Sequence, residues 1–85
     1  MIELVEIMVL GCIECKKFKD WWEKNSQNFK NINFQEIDAT TPKGQEMVLK
    51  YKIFSSPGII INDELFSSGG VNTDKLTEKL KSLGA

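Results

Sequence analysis

The chain has 85 residues, and its 11 Lys+Arg nearly balance its 12 Asp+Glu, for a net charge of −1. A chain this short buries only about 60–65% of the surface that its unfolded form exposes, so we expect one domain, residues 1–85, with a small core. The balanced charge gives no electrostatic basis for binding nucleic acid. The sequence contains no histidine, which excludes imidazole base catalysis and histidine metal sites.

The first ten residues are apolar, but they contain Glu3 and Glu6 and lack the basic leader of an export signal. No run approaches the ~20 apolar residues of a membrane span. We therefore expect a cytoplasmic protein with no membrane partner. In that compartment thiols stay reduced, and a C-x-x-C pair is more often catalytic or metal-binding than structural.

Residues 2–9 are mostly apolar and β-branched, which is typical of a central strand covered on both faces. Within it, Glu6 is interpreted as an exposed charge near the strand end rather than as a proton-relay carboxylate. Gly11 ends this strand. The next stretch, from Cys12 to about residue 27, has helical spacing. Its apolar stripe comprises Cys15, Phe18, Trp22 and Phe29.

A second strand is predicted over residues 31–37, where apolar and polar residues alternate. Thr41 and Pro42 then form a helix-start signal. This second helix should run to about residue 51, and Gly44 weakens its first turn. Its inward residues are predicted to be Met47, Val48 and Tyr51.

Residues 59–61 predict an apolar strand, which a turn connects to a hairpin partner at residues 65–67. A last helix begins after a cap at Asn72 or Thr73 and stops at Gly84. Its inner face is predicted to carry Leu76, Leu80 and Leu83.

The resulting order is β-α-β-α-β-β-α. The helix between the first two strands makes them parallel with a right-handed crossover, and the hairpin makes the last two antiparallel. The sequence therefore predicts an α/β fold with a four-stranded mixed sheet and helices on both faces.

Both cysteines of the chain, Cys12 and Cys15, lie at the junction of the first strand and first helix. Residues i and i+3 share a helix face, so the two sulfurs should lie within bonding reach. The helix N-terminus favours a thiolate at Cys12. Glu14 opposes this effect, and Lys16 with its neighbour Lys17 roughly offsets Glu14. The pattern indicates a redox dithiol in which Cys12 attacks and Cys15 resolves.

With these residues, the chain resembles the thioredoxin superfamily, in particular its small members of glutaredoxin-like size. The resemblance rests on Cys12-Ile13-Glu14-Cys15 after the first strand, Ser56-Pro57 before the third strand, and Gly69-Gly70 after the last. It implies a thioredoxin-like fold and a disulfide oxidoreductase. It also implies that Pro57 is a cis-proline lying against the dithiol.

A cis bond there would turn the main chain of Ser56 toward the cysteines, where it could pair with an extended substrate. Ile13 and the Gly69-Gly70 loop would form the sides of a shallow groove for that substrate. The resemblance implies disulfide-containing protein substrates and an electron donor of the thioredoxin-reductase type. Glutathione fits less well, because the usual glutaredoxin residues are absent. We expect a monomer with no bound metal. We also expect no cofactor, because the redox-active group is the Cys12–Cys15 disulfide itself.

Two other functions could use the same dithiol. One is a soft-metal carrier that holds Cu(I) between the two thiolates. The carrier fold has a different element order, and its cysteines usually follow a Met-x pair that is missing here. The other is an interaction module whose dithiol only senses redox state, without turnover by any reductase.

Overall fold

The computed structural model describes all residues from Met1 to Ala85. The strands and helices follow the predicted order. They are β1 (Ile2–Met8), α1 (Ile13–Asn25), β2 (Ile32–Asp38), α2 (Pro42–Tyr51), β3 (Gly58–Ile61), β4 (Glu64–Ser68) and α3 (Thr73–Ser82). The first helix ends earlier than predicted, because residues Ser26–Asn28 form a 3₁₀ turn.

The four strands form one sheet in the order β2-β1-β3-β4. β1 is parallel to β2 and antiparallel to β3, and β3 is antiparallel to β4. The predicted four-stranded mixed sheet is therefore confirmed. Because β1 is an inner strand, the cysteine pair that follows its C-terminal end lies near the middle of the sheet and not beside an edge strand.

One face of the sheet packs against α1 and α3. Alternate residues of β1 and β3 point to this face, as the period of two along a strand requires. The buried members of this core are Ile2, Leu4, Phe18, Trp22, Ile59, Ile61, Leu76, Leu80 and Ala85. Since α1 carries Phe18 and Trp22 in this core, its first turn and the cysteine pair are held against the sheet.

The inward position predicted for Leu83 is wrong. Leu83 is the residue at which α3 ends, and its side chain is 38% exposed. Gly84 follows with φ +98° and turns the chain, so the amide of Ala85 donates to the carbonyl of Leu80 at 3.0 Å. Ala85 therefore takes the place predicted for Leu83, as the third apolar core residue in this part of the chain after Leu76 and Leu80.

The opposite face of the sheet is covered by α2. Its buried residues are Ile7, Ile53 and Ile60, and the predicted inward positions of α2 are confirmed by the packing of Met47, Val48 and Tyr51 against them. None of the helices is both long and apolar enough to cross a bilayer.

Gly44 is buried in the first turn of α2, where the helix approaches the end of β2. A Cβ at this position would clash with the carbonyl oxygen of Asp38 and lie 2.7 Å from Cα of Ala39. Because both neighbours are main-chain atoms, α2 would have to move. We expect Gly44→Ala to lower the free energy of unfolding by about 2 kcal/mol, measured by urea denaturation. Lys43→Ala, at the exposed neighbouring position, should change it little, and equal losses in both variants would contradict this account.

Candidate active site

The two cysteines form a disulfide at the start of α1, with Cα atoms 5.2 Å apart. Cys12 is the N-cap residue of the helix and is half-buried, whereas Cys15 lies in the first turn and is only 4% exposed. The outer sulfur therefore belongs to Cys12 and the inner one to Cys15. An approaching thiol or disulfide can reach Cys12 first.

Local chain geometry places the sulfur of Cys12 at the helix N-terminus. Gly11 adopts φ +80°, a conformation that favours glycine, and it turns the chain from β1 into α1. The Cys12 Sγ then accepts a hydrogen bond from the amide of Cys15 at 3.1 Å. The free N–H groups and positive end of the helix dipole therefore act on this sulfur.

A second segment, residues 53–57, brings Ser56 to the disulfide. The Ser56–Pro57 peptide bond is cis, and Pro57 is buried. The segment is held by the end of β4 and the residue after it, since the amide of Gly69 donates to the carbonyl of Pro57 at 3.0 Å. In addition, Ser55 and Ser68 exchange hydrogen bonds through the Ser68 hydroxyl, at 3.2 and 2.9 Å. These contacts give residue 56 a defined position beside the sulfurs.

The Ser56 hydroxyl contacts the redox pair directly. Its Oγ donates a hydrogen bond to the Sγ of Cys12 at 3.2 Å, so this sulfur accepts two hydrogen bonds. The main-chain N–H and C=O of Ser56 form no main-chain hydrogen bond. The sequence predicts a role only for this main chain. The hydroxyl contact was missed because it joins residues 44 positions apart, and only the residue type, a hydroxyl beside the proline, could have suggested it.

The remaining predicted site residues also lie around the disulfide, although with different surroundings. Ile13 projects into solvent with 73% of its surface exposed. Glu14 reaches toward the Gly69-Gly70 loop, because its Oε2 lies 3.6 Å from the position of a Cβ on Gly70. Its ion pair is with Lys17 at 3.4 Å.

Lys16, in contrast, pairs with Asp20 at 3.3 Å. Its charge is therefore partly compensated along the helix, away from Glu14. Exposed charges of this kind act through water and are screened by salt, so their effect on the Cys12 sulfur is small. The main electrostatic effect on Cys12 thus comes from the helix terminus and the two hydrogen bonds.

Glu6 is fully buried, with 0% of its surface exposed, so its interpretation as an exposed charge is wrong. Glu6 lies on the same sheet face as Ile2 and Leu4, under α1. This period of two in a central strand is the sequence signal for its burial. Neither carboxylate oxygen has a hydrogen-bond partner. Burial, helped by the nearby charge of Glu36, raises the pKa of Glu6 to about 8, and Lys19 acts weakly in the other direction.

A groove of about 480 Å³ runs beside the disulfide, between the connection from β1 to α1 and the polar side of α1. Both cysteines line it, together with charged residues of both signs, namely Lys16, Lys19, Asp20, Glu23 and Glu36. Lys19 and Glu36 form an ion pair at 3.3 Å.

These features define a class of protein: an α/β domain with a redox-capable cysteine pair at a helix N-terminus, facing a proline loop. Residues 3–81 match the family model described as "Thioredoxin domain", and the chain belongs to this family. Together with the cysteine pair, this membership supports a thiol–disulfide oxidoreductase.

Solved thioredoxins have the same fold. Thioredoxin O2 from Arabidopsis thaliana is 11% identical and superposes with a TM-score of 0.77, over 100% of this chain and 76% of that chain. The Fasciola hepatica thioredoxin is 18% identical, with a TM-score of 0.74 over 95% and 79% of the two chains. An oxidised thioredoxin from Plasmodium falciparum is 21% identical, with a TM-score of 0.71 over 99% and 82%. At these identities the likeness concerns the fold.

Proposed function

We propose that this protein is a dithiol electron carrier that reduces disulfides in protein substrates. The observation that supports this most strongly is the Cys12–Cys15 disulfide across the first turn of α1, with an accessible outer sulfur and a buried inner one. The couple needs no cofactor, since the two cysteines themselves hold the electrons.

The first step is attack by the Cys12 thiolate on one sulfur of a substrate disulfide. A bond forms between the Cys12 Sγ and that sulfur, and the other substrate sulfur leaves as a thiolate that takes up a proton. The amide of Cys15 and the helix N-terminus favour the attacking anion. Cys12 therefore serves as the nucleophile.

The second step is attack by Cys15 on the Cys12 sulfur. The Cys12–Cys15 disulfide forms, the second substrate sulfur leaves as a thiolate, and two electrons have passed to the substrate. Burial in apolar surroundings opposes ionisation of Cys15. Glu6, buried on the sheet face that α1 covers, is the group we assign to accept its proton.

The substrate surface combines apolar side chains with free main-chain groups. Leu10 and Phe54 are 84% and 89% exposed, and Ile13 is exposed between the cysteines. The unpaired N–H and C=O of Ser56 can pair with an extended segment that carries the substrate cysteine. The Gly69-Gly70 loop, without side chains, permits close approach on the opposite side of Pro57.

We further propose that the protein acts as a monomer in the cytoplasm and receives electrons from a reductase of the thioredoxin-reductase type. The exposed apolar residues near Cys12 suit a protein partner better than a small charged thiol such as glutathione. The donor can be tested by supplying NADPH with either a flavin-dependent thioredoxin reductase or glutathione and glutathione reductase. NADPH oxidation coupled to insulin reduction is expected with the first pair and not with the second.

The function itself is tested by insulin reduction with dithiothreitol as the electron source. Wild-type protein should accelerate precipitation of the insulin B chain over dithiothreitol alone. If instead it gives no acceleration and retains Cu(I) stoichiometrically against a competing chelator, the metal-carrier alternative is correct. No acceleration and no Cu(I) retention, with a dithiol that still oxidises and reduces, would favour the redox-sensing module.

Cys15→Ser is expected to stop the reaction after the first step. Cys12 can still form the mixed disulfide, but no second thiol remains to release the substrate. The variant should therefore accumulate a covalent complex with a protein disulfide, with one substrate per protein. Non-reducing electrophoresis and intact mass measure it, and dithiothreitol should release the substrate. If Cys15→Ser turns over like wild type, the assignment of the resolving cysteine is wrong.

A further inference from the structure

The hydrogen bond from the Ser56 hydroxyl to Cys12 gives this side chain a role in the chemistry beyond substrate contact. We propose that Ser56 is a catalytic residue whose hydroxyl stabilises the Cys12 thiolate, lowers the pKa of this thiol and makes the dithiol more oxidising. This inference rests on the proposed function in one respect, since it assumes that the Cys12 thiolate is the attacking species.

The geometry supports a hydrogen bond that strengthens on reduction. Ser56 Oγ lies 3.2 Å from the Cys12 Sγ while the sulfur is part of a disulfide. A neutral sulfur is a weak acceptor, but the thiolate formed on reduction carries a full charge, and hydrogen bonds to charged groups are about twice as strong. The hydroxyl thus stabilises the reduced state more than the oxidised state.

The donor is also held in place before reduction occurs. Pro57 is buried, its carbonyl accepts from Gly69, and the main chain of Ser55 is tied to Ser68. Ser56 itself is half-buried, so water competes less for its hydroxyl than at an exposed site. Little reorganisation is needed when the charge develops on Cys12, which is the condition for efficient electrostatic stabilisation.

Other charged groups around Cys12 do not supply the same effect. On α1, Glu14 pairs with Lys17 and Lys16 pairs with Asp20, all near the surface. On β1, Glu6 is buried and, when ionised, would oppose a thiolate. Segments 53–59 and 67–72 contain no charged residue. The uncharged donors to the Cys12 sulfur are therefore the Cys15 amide and the Ser56 hydroxyl.

Removing the hydroxyl should affect acidity and nucleophilicity in opposite directions. A hydrogen bond to a charged acceptor changes an equilibrium by roughly tenfold or more, so Ser56→Ala should contain about tenfold less thiolate at a pH below the pKa of Cys12. The less stabilised thiolate is intrinsically about threefold more nucleophilic, given a Brønsted coefficient of about 0.4–0.5. The variant should react about threefold more slowly than wild type at low pH and about threefold faster at high pH.

The potential should move as well. At a pH above the pKa of Cys12 in both proteins, reduction yields the thiolate that Ser56 stabilises, so a tenfold loss of that stabilisation makes the dithiol more reducing by about 30 mV for a two-electron couple. The opposite sign would mean that the hydroxyl prefers the disulfide. This shift and the crossing of the rate profiles are readouts that a purely structural serine would not produce.

The experiment uses Ser56→Ala, with Ser56→Thr as the variant that keeps a hydroxyl and Ser55→Ala as the matched control. Ser55 forms its hydrogen bonds through the main chain only, so its truncation should leave Cys12 unaffected. In a Cys15→Ser background Cys12 is the only thiol, and its ionisation is followed by thiolate absorbance near 240 nm and by iodoacetamide rates against pH. The two-cysteine forms are titrated in dithiothreitol redox buffers, and circular dichroism checks folding.

We expect a higher Cys12 pKa, crossing rate profiles and a more negative potential in Ser56→Ala, with near wild-type values in Ser56→Thr and Ser55→Ala. Unchanged pKa and potential in folded Ser56→Ala would overturn the proposal, even if insulin reduction fell, because the loss would then reflect substrate contact. Equal shifts in Ser55→Ala would also overturn it. Conversely, the expected shifts in a protein that never reduces insulin would support the role of Ser56 while refuting the proposed function.

Discussion

Cys12→Ser is expected to abolish disulfide reduction, lowering the insulin assay to the rate of dithiothreitol alone. A serine hydroxyl cannot form the mixed disulfide, and the remaining Cys15 is buried with 4% of its surface exposed, so it cannot replace Cys12 as the first attacking sulfur. The same variant should show no covalent complex with substrate. The measurement is insulin precipitation over time together with non-reducing electrophoresis.

Two controls separate loss of the sulfur from loss of the fold. Cys15→Ser removes the other sulfur from the same turn and should still form the mixed disulfide. A covalent complex with the substrate is therefore expected in Cys15→Ser and not in Cys12→Ser. Thermal unfolding of Cys12→Ser should be compared with that of reduced wild-type protein, since both lack the disulfide. Retention of dithiol-linked reduction by a folded Cys12→Ser would show that the nucleophile has been assigned to the wrong residue.

Glu6→Gln is expected to remove a strong pH dependence of stability. In the folded protein the pKa of Glu6 is about 8, raised from an ordinary value of 4.5 mainly by burial. Between these two values the folded state binds more protons at this site than the unfolded state, so stability falls as pH rises. Below pH 4.5 both states are protonated and the penalty is absent. By about pH 8 and above, it should reach the order of 4 kcal/mol.

This effect is large for a small domain, whose total stability is typically about 5–15 kcal/mol. Urea denaturation at pH 5, 6.5 and 8.5 measures it. Wild-type protein should lose stability across this range, whereas Glu6→Gln should not, and the variant should become the more stable protein at pH 8.5. Glu3→Gln is the matched control, because Glu3 lies on the same strand but is exposed. Parallel pH profiles for wild type and Glu6→Gln would contradict the burial of an ionisable Glu6.

The same variant tests the proposed proton transfer from Cys15. Glutamine is close in size to glutamate but cannot accept a proton, so resolution of a preformed mixed disulfide should slow in Glu6→Gln at about pH 8, where roughly half of Glu6 is ionised. Formation of that mixed disulfide by Cys12 should change much less. A general base contributes about a hundredfold or more to the step that it assists. Equal rates of resolution in both proteins would exclude Glu6 as the acceptor.

Most of the fold could be predicted because its signals are local. The apolar run of β1, the Thr41-Pro42 helix start and the turn before β4 each appear in a few consecutive residues. Their order then restricts the topology, since a helical crossover makes strands parallel and a short turn makes them antiparallel. The spacing of the two cysteines likewise places them on one helix turn.

What could not be predicted depends on tertiary neighbours. Glu6 was judged by its charge, which usually means exposure, but its place in a central strand determines its burial. The Ser56 hydroxyl contacts Cys12 across 44 positions of the chain, so the contact depends on the tertiary fold. Gly44 looked like a weak point of α2, yet it permits the close approach of the helix to Asp38. Leu83 fits the helical period of α3, but the helix ends one residue before it, so the period no longer determines where its side chain points.

In the proposed function, Cys12 and Cys15 operate as one two-electron couple. The most direct test equilibrates the protein in dithiothreitol buffers of graded potential, alkylates the remaining thiols and determines the modified species by mass. We predict that the two cysteines are oxidised and reduced together. The ratio of oxidised to reduced protein should then change tenfold for every ~30 mV of potential. The account would be contradicted if singly modified protein dominated the transition, or if both thiols stayed free at every potential.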